Sequence, residues 1–98
     1  MKDRILRIIN HYGLINQLKK LNEEVFELID AEYEMYYTLN ANNYERLINH
    51  IIEEYGDVQH VLEQHRLYWQ ISLDDVKEVI EYKNKRTNDE IDNEGCDD

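Results

Sequence analysis

The sequence predicts an all-α protein, and three observations favour this fold class. The 98 residues include no proline and only three glycines, so little in the chain interrupts a helix. No segment sustains the alternation of apolar and polar residues that a half-buried strand has. Apolar residues instead recur at steps of three and four, the periodicity of an amphipathic helix. We therefore expect a four-helix bundle.

The first half of the chain predicts one short helix and one long helix. The short helix contains the apolar residues of segment 5–9 and ends at Tyr12-Gly13, because glycine is favoured just after a helix end. The second helix is expected from about residue 15 to Thr38. Its predicted apolar stripe consists of Leu14, Leu18, Leu21, Val25, Leu28 and Met35.

The second half predicts two more helices. Asn40-Ala41-Asn42-Asn43 is the clearest break, and either Asn42 or Asn43 can cap a third helix over residues 44–68. The predicted apolar stripe of that helix consists of Leu47, Ile51, Val58, Val61 and Leu62. The segment Ser72-Leu73-Asp74-Asp75 resembles a capping box that begins a fourth helix, which runs to about Asn88. This helix is expected to direct Val76, Val79 and Ile80 inward.

Length and composition predict one small domain followed by an acidic tail. Apolar residues make up 42% of the chain, which favours a globular domain over residues 1–87. Segment 88–98 contains six acids and no base, and we expect it to be a disordered tail. The formal net charge of −11 argues against nucleic acid or an anionic membrane as a partner. The lone Cys96, with no secretory or membrane-spanning segment, predicts a reducing, cytoplasmic setting.

Two acidic pairs are the strongest functional signal in the sequence. Glu24 and Glu27 lie three residues apart on the second predicted helix, as Glu54 and Asp57 do on the third. This spacing puts both side chains of a pair on one helix face, with Cβ atoms about 5–6 Å apart. If the two helices pack together, four carboxylates converge and repel one another unless a cation lies among them. Hard oxygen ligands suit Mg²⁺ or Mn²⁺, so the pattern predicts a divalent-metal site.

The position of Glu54 distinguishes it from an ordinary surface acid. It fills the seven-residue gap between Ile51 and Val58 in the apolar stripe of the third predicted helix. A carboxylate at that position points toward the core, where an unpaired charge costs several kcal/mol. Glu54 is therefore expected to be protonated, paired or bound to a metal.

Other polar residues extend the candidate site. A polar line beside the apolar stripe of the second helix consists of Gln17, Lys20, Glu24 and Glu27. An amide, an ammonium group and two carboxylates in a row suit a pocket for a metal and an anionic ligand. On the fourth helix, Lys83 and Arg86 stand three residues apart at the end of the inward face, where they can hold phosphate oxygens.

These residues resemble the signature of the MazG-like all-α nucleoside triphosphate pyrophosphohydrolases, the superfamily that also contains the dimeric dUTPases. The family pattern is Glu-Glu-x-x-Glu, a helical spacer and Glu-x-x-Asp. It stands here as Glu23-Glu24-Val25-Phe26-Glu27, then 26 residues, then Glu54-Tyr55-Gly56-Asp57. A later Lys-x-x-Arg element stands as Lys83-Asn84-Lys85-Arg86. The similarity covers about residues 15–86.

The resemblance implies a fold, a reaction and a metal site. The expected fold is a four-helix MazG-like bundle that is completed by oligomerisation, as a homodimer or homotetramer. The expected reaction is Mg²⁺-dependent hydrolysis of an NTP or dNTP between the α and β phosphates, which releases a nucleoside monophosphate and pyrophosphate. The implied metal ligands are Glu24, Glu27, Glu54 and Asp57.

The resemblance also implies roles for five further residues. Glu23 would be the catalytic residue that orients or deprotonates the attacking water. Lys83 and Arg86 would contact the phosphates of the nucleotide. Gln17 and Lys20 would line the nucleotide pocket on the second helix.

Other interpretations of the same residues remain open. A Glu-rich helix is often only solvated surface, and Lys83 and Arg86 can instead balance the C-terminal dipole of their helix. An acidic interaction protein that mimics nucleic acid would also explain the net charge, and a MazG-like protein that binds nucleotides without turnover would explain the signature. A di-iron bundle is disfavoured, because it pairs glutamate with a histidine three residues later. The histidines are expected at the surface or half-buried: His11, His50, His60 and His65.

Overall fold

Four α-helices account for nearly all of the chain. The computed structural model describes residues 2–95. The helices are α1 (Lys2–Tyr12), α2 (Leu14–Thr38), α3 (Tyr44–Tyr68) and α4 (Leu73–Glu94). The described residues contain no β-strand, so the all-α prediction is confirmed. The predicted bounds of the third helix match those of α3.

The two long helices pack against each other in an antiparallel arrangement. Gln17 near the start of α2 contacts Gln64 near the end of α3, and Glu34 near the end of α2 pairs with Arg46 near the start of α3. The shorter α1 packs against both of them. These three helices form the core, and its largest fully buried apolar side chains are Ile9 of α1 and Leu47 of α3.

The inward face of α2 differs from the predicted stripe. Its fully buried residues are Gln17, Glu24 and Ala31, with half-buried apolar residues between them. Leu18 and Val25, which were expected on the inward face, are 47% and 37% exposed. The reason is that α2 carries apolar residues on two faces, and the face that packs against α3 is the one that includes the polar residues.

The inward face of α3 agrees more closely with the prediction. Leu47, Val58 and Val61 are buried, and the side chain of Glu54 between them is only 13% exposed. The expectation that Glu54 points into the core is therefore confirmed. Leu62 is wrong as a core residue, because it is 41% exposed.

Local chemistry explains the helix ends. Gly13 lies between α1 and α2 and has φ of 90°, a conformation that glycine adopts without strain. Its N–H donates a hydrogen bond to Ile9 O at 2.8 Å at the end of α1. Ser72 Oγ accepts a hydrogen bond from the N–H of Asp74 at 3.1 Å and so caps α4, as expected. Asn43 precedes α3, but its side chain accepts from the N–H of Asn40 within the loop and does not cap the helix.

The fourth helix does not pack against the other three. Among the described residues, none of α4 is buried and none contacts α1, α2 or α3. The expectation that its apolar residues face inward is therefore wrong within one chain, where Val79 and Ile80 are 56% and 52% exposed. The helix also continues to Glu94, so residues 88–94 are helical and the tail expected from Asn88 is not observed there. Cys96 lies outside the described residues.

The outer sides of α2 and α3 expose many large apolar residues. We call this surface the outer apolar face, and its main members are Ile15, Leu18, Phe26, Ile29, Tyr33, Tyr36, Tyr37, Ile52 and Tyr55. The three tyrosines of α2 in this set are exposed, so they are not core residues of a single chain. None of the four described helices combines the length and the hydropathy required to cross a bilayer.

Candidate metal centre

The packing of α2 against α3 brings the two acidic pairs together. One carboxylate oxygen from each of Glu24, Glu27, Glu54 and Asp57 lies within 4.8 Å of the oxygens from the other three. The antiparallel arrangement explains this convergence, because each helix places its pair on the side that faces the other helix. The expected juxtaposition of the four acids is therefore observed.

Burial of the cluster decreases from its inner side to its outer side. The side chain of Glu24 is 7% exposed and that of Glu54 is 13% exposed, whereas Glu27 and Asp57 are open to solvent. An ion at this position would therefore contact the protein on one side and solvent or a ligand on the other. Such an arrangement is typical of Mg²⁺ sites, in which the ion keeps several exchangeable waters.

The two inner glutamates each have one oxygen without a partner. Oε2 of Glu24 and Oε2 of Glu54 are inaccessible to solvent and accept no hydrogen bond from the described residues. Leaving a buried charged oxygen without a partner is costly in free energy, and native proteins rarely do so without a functional reason. A cation between the two helices could be bound by these two oxygens.

The other oxygen of each inner glutamate contacts a basic side chain one turn earlier on its own helix. Lys20 Nζ lies 2.9 Å from Oε1 of Glu24, and His50 Nε2 lies 3.4 Å from Oε1 of Glu54. The hydrogen bond and the negative charge of Glu24 raise the pKa of Lys20, so this ammonium group stays protonated. The two helices thus repeat one arrangement, with a basic residue on one oxygen and the second oxygen left free.

Repulsion within the cluster also affects Glu27. The negative charge of Glu24 is the largest of the causes that raise the pKa of Glu27 above its ordinary value. Protonation therefore relieves the repulsion when no metal is present. A divalent cation would relieve the same repulsion without a proton.

The donor set fits Mg²⁺ or Mn²⁺. All four candidate ligands supply carboxylate oxygens, which are the hard donors that these ions prefer. His50 is a histidine next to the cluster, and its Nε2 lies 3.4 Å from Oε1 of Glu54. Soft sulfur donors are absent from the described cluster.

A cleft next to the carboxylates contains three of the other predicted site residues. Gln17, Lys20 and Glu23 line it together with residues of α1 and α3, and its volume is about 500 Å³. Glu23 is exposed in this cleft and is not one of the four clustered acids. None of the four clustered acids lines the cleft, and Lys20 is the lining residue that contacts one of them, Glu24.

Lys83 and Arg86 are not part of this arrangement within one chain. Both lie on α4, which does not contact the helices that carry the carboxylates. Arg86 lies over the ring of Tyr82 and 3.9 Å from an oxygen of Glu90 on its own helix. The expectation that these residues meet phosphates at the site is therefore not fulfilled by a single copy of the chain.

Sequence reasoning missed three residues near the site. His50 contacts Glu54, and its position four residues earlier was an available signal, because residues at that spacing share a helix face. Gln64 forms the buried partner of Gln17, and no local pattern predicts this pairing between helices. His60 is exposed, as expected, but its place in the lining of the cleft was not predicted.

Comparisons of this chain with protein-family models, curated proteins and solved structures find no match. The resemblance to the MazG-like enzymes therefore rests on the signature residues and their spacing.

We predict that Mn²⁺ or Mg²⁺ raises the melting temperature of the protein and that a chelator reverses the change. Glu54→Gln should abolish this stabilisation, because the neutral amide removes one of the two inner charges that favour the ion. Glu53→Gln is the matched control, since Glu53 is exposed on the preceding position of the same helix. Circular dichroism during heating measures both variants, and equal metal-induced shifts in the two would contradict the assignment.

We also predict that the metal-free protein becomes less stable as the pH rises above about 4.5, the ordinary value for glutamate. The raised pKa of Glu27 means that the folded chain binds its proton more tightly than the unfolded chain does. The resulting stability is present below that pH and is lost as the pH rises through the folded pKa. Urea denaturation at several pH values should show a smaller loss for Glu27→Gln than for Glu32→Gln, an exposed control on α2. Identical pH dependence in the two variants would exclude this explanation.

Proposed function

We propose that the protein is a Mg²⁺-dependent nucleoside triphosphate pyrophosphohydrolase. The single observation that carries this proposal is the four-carboxylate centre, with two buried oxygens that have no partner, beside a cleft large enough for a nucleotide. The MazG-like signature supports the same reaction. The products would be a nucleoside monophosphate and pyrophosphate, and the role would be control or cleaning of the cytoplasmic nucleotide pool.

The charge of the site favours a phosphate substrate that arrives with a metal. Carboxylates alone repel a triphosphate, which carries about four negative charges. Mg²⁺ held by Glu24, Glu27, Glu54 and Asp57 would neutralise charge on the phosphates and stabilise the departing pyrophosphate. Mn²⁺ would be a substitute with the same preference for oxygen ligands.

Residues of the chain itself would position the water and the nucleotide. Glu23 is exposed in the cleft and precedes the proposed ligand Glu24 in the sequence. Its carboxylate can orient a water molecule by accepting a hydrogen bond from it. Lys20 would orient Glu24 through their ion pair. Its remaining two N–H groups are available to a phosphate oxygen.

Self-association would supply the phosphate-binding cations that one copy lacks. The outer apolar face and the unpacked α4 leave much apolar surface in water, which a homodimer or homotetramer would cover. In such an assembly, Lys83 and Arg86 of one copy would approach the carboxylates of another. This arrangement would give them the role that the sequence pattern predicts.

A second candidate function is an acidic interaction protein. The exposed apolar residues of α2, α3 and α4 favour it, because exposed apolar patches mark surfaces that bind other proteins. The burial of Glu24 and Glu54 weighs against a nucleic-acid mimic, which needs its acids on an open surface. Binding of a basic protein without metal-dependent hydrolysis would favour this second function.

We predict that the protein converts one or more members of a panel of NTPs and dNTPs to the monophosphate and pyrophosphate when Mg²⁺ is present. Glu54→Gln should lower turnover by at least about a hundredfold, since it removes a metal ligand, whereas Glu53→Gln should retain it. Phosphorus NMR distinguishes pyrophosphate from the single phosphate that cleavage of the terminal bond would release. Turnover by Glu54→Gln at the wild-type rate would refute the assignment.

We further predict that the protein is a dimer or tetramer at micromolar concentration, because association covers the outer apolar face. Ile52→Glu should shift the equilibrium toward the monomer, since it places a charge on that face, where Ile52 is 61% exposed. Arg4→Glu is a control at a charged, exposed position of α1, a helix that contributes no residue to the outer apolar face. Sedimentation velocity gives the mass of each species, and a monomeric wild-type protein would contradict the proposed assembly.

A further inference from the structure

A buried pair of amides lies two helical turns from the carboxylates. Gln17 Nε2 donates a hydrogen bond to Gln64 Oε1 at 2.8 Å, and the two residues are 7% and 1% exposed. Glu24 follows Gln17 by seven positions, which corresponds to about 10 Å along α2 at the rise of an α-helix. The amide pair and the carboxylates therefore lie at the two ends of one short stretch of the contact between α2 and α3.

The hydrogen bond leaves part of each amide unused. A glutamine side chain has two N–H donors and an oxygen that accepts two bonds. Among the described residues, Gln17 Oε1 and Gln64 Nε2 have no bonding partner, yet neither is one of the fully enclosed atoms without a partner. Both residues line the cleft beside the metal centre. One acceptor and one donor therefore keep a small accessible area, and the cleft is a space that both residues line.

This donor–acceptor pair does not depend on which way the two amides are turned. If both amides rotate by half a turn, Gln64 donates to Gln17, and the cleft then meets a donor from Gln17 and an acceptor from Gln64. The order of donor and acceptor reverses, but the pair is kept. A ligand edge with one donor next to one acceptor can be matched in either order.

We propose that Gln17 and Gln64 bind the pairing edge of a nucleobase in this cleft. This proposal rests on the proposed function, because the nucleotide would extend from the amides to the carboxylates through its sugar. Each standard base carries a donor and an acceptor side by side on that edge, so rotation of the amides allows purines and pyrimidines alike. The site accepts any standard base, but it requires the adjacent donor and acceptor of the pairing edge.

The remaining lining of the cleft suits a base. Its volume of about 500 Å³ is within the range of small-molecule sites. Tyr12 and His60 contribute rings from α1 and α3, on which a base can stack, and Ile8 and Val61 add apolar surface. Lys20 and Glu23 line the same cleft next to the metal centre.

A purely structural role for the amide pair has different consequences. A buried polar pair can fix the register of two helices, and its removal then changes stability without changing selectivity among ligands. The test therefore measures discrimination between ligands that differ only in the base edge.

The experiment measures binding to the full chain by isothermal titration calorimetry in Mg²⁺. The ligands are uridine monophosphate, its N3-methyl derivative, which lacks the donor of the base edge, and ribose 5-phosphate, which lacks the base. The wild-type protein should bind the uridine nucleotide at least about tenfold more tightly than the other two, as expected for a paired hydrogen-bond contact. Equal binding of all three by the wild-type protein overturns the proposal, whether or not any variant folds.

Two variants complete the test. Gln64→Met keeps the length of the side chain but removes its amide, and it should bind all three ligands with equal affinity. Gln59→Met is the control at an exposed glutamine of the same helix, and it should keep the wild-type preference. Retained preference in Gln64→Met overturns the proposal. Because binding is measured without turnover, a selective protein that hydrolyses no triphosphate would support the base pocket and refute the hydrolase.

Discussion

Repulsion among carboxylates at the contact between α2 and α3 is the constraint on which the rest of the structure depends. Glu24 and Glu54 occupy positions where a helical pair normally places apolar residues, and each leaves an oxygen without a partner. Replacing both with leucine would give an ordinary core. Without a cation, the burial of these two glutamates lowers the free energy of unfolding, so the acidic cluster destabilises the fold.

The same contact carries two polar layers with different chemistry. The carboxylate layer suits a metal and phosphates, and the amide layer formed by Gln17 and Gln64 suits a neutral, hydrogen-bonding group. Because both layers lie on rigid helices, their separation is set by helix geometry and not by a loop. The cleft beside them is also lined by Tyr12 and Ile8 of α1. In the proposed function, one pair of helices would therefore position both ends of a nucleotide.

The sequence predicted the parts that depend on local chemistry. Gly13 and Ser72 fix helix ends through backbone conformation and capping, and Glu54 was assigned to the core because α3 has one clear apolar stripe. The inward face of α2 could not be predicted, since Leu18 and its neighbours form a second stripe of equal strength. Which stripe is buried depends on the partner helix. The hydrogen bond between Gln17 and Gln64, 47 positions later, also could not be predicted, because it depends on which helices pack together.

Metal binding by the four carboxylates is tested most directly with a crystal grown in Mn²⁺, whose anomalous scattering locates the metal independently of the protein atoms. We expect one or more peaks between α2 and α3, within coordination distance of carboxylate oxygens from Glu24 and Glu54 together. A structure with every manganese peak elsewhere on the acidic surface would contradict the proposed metal centre.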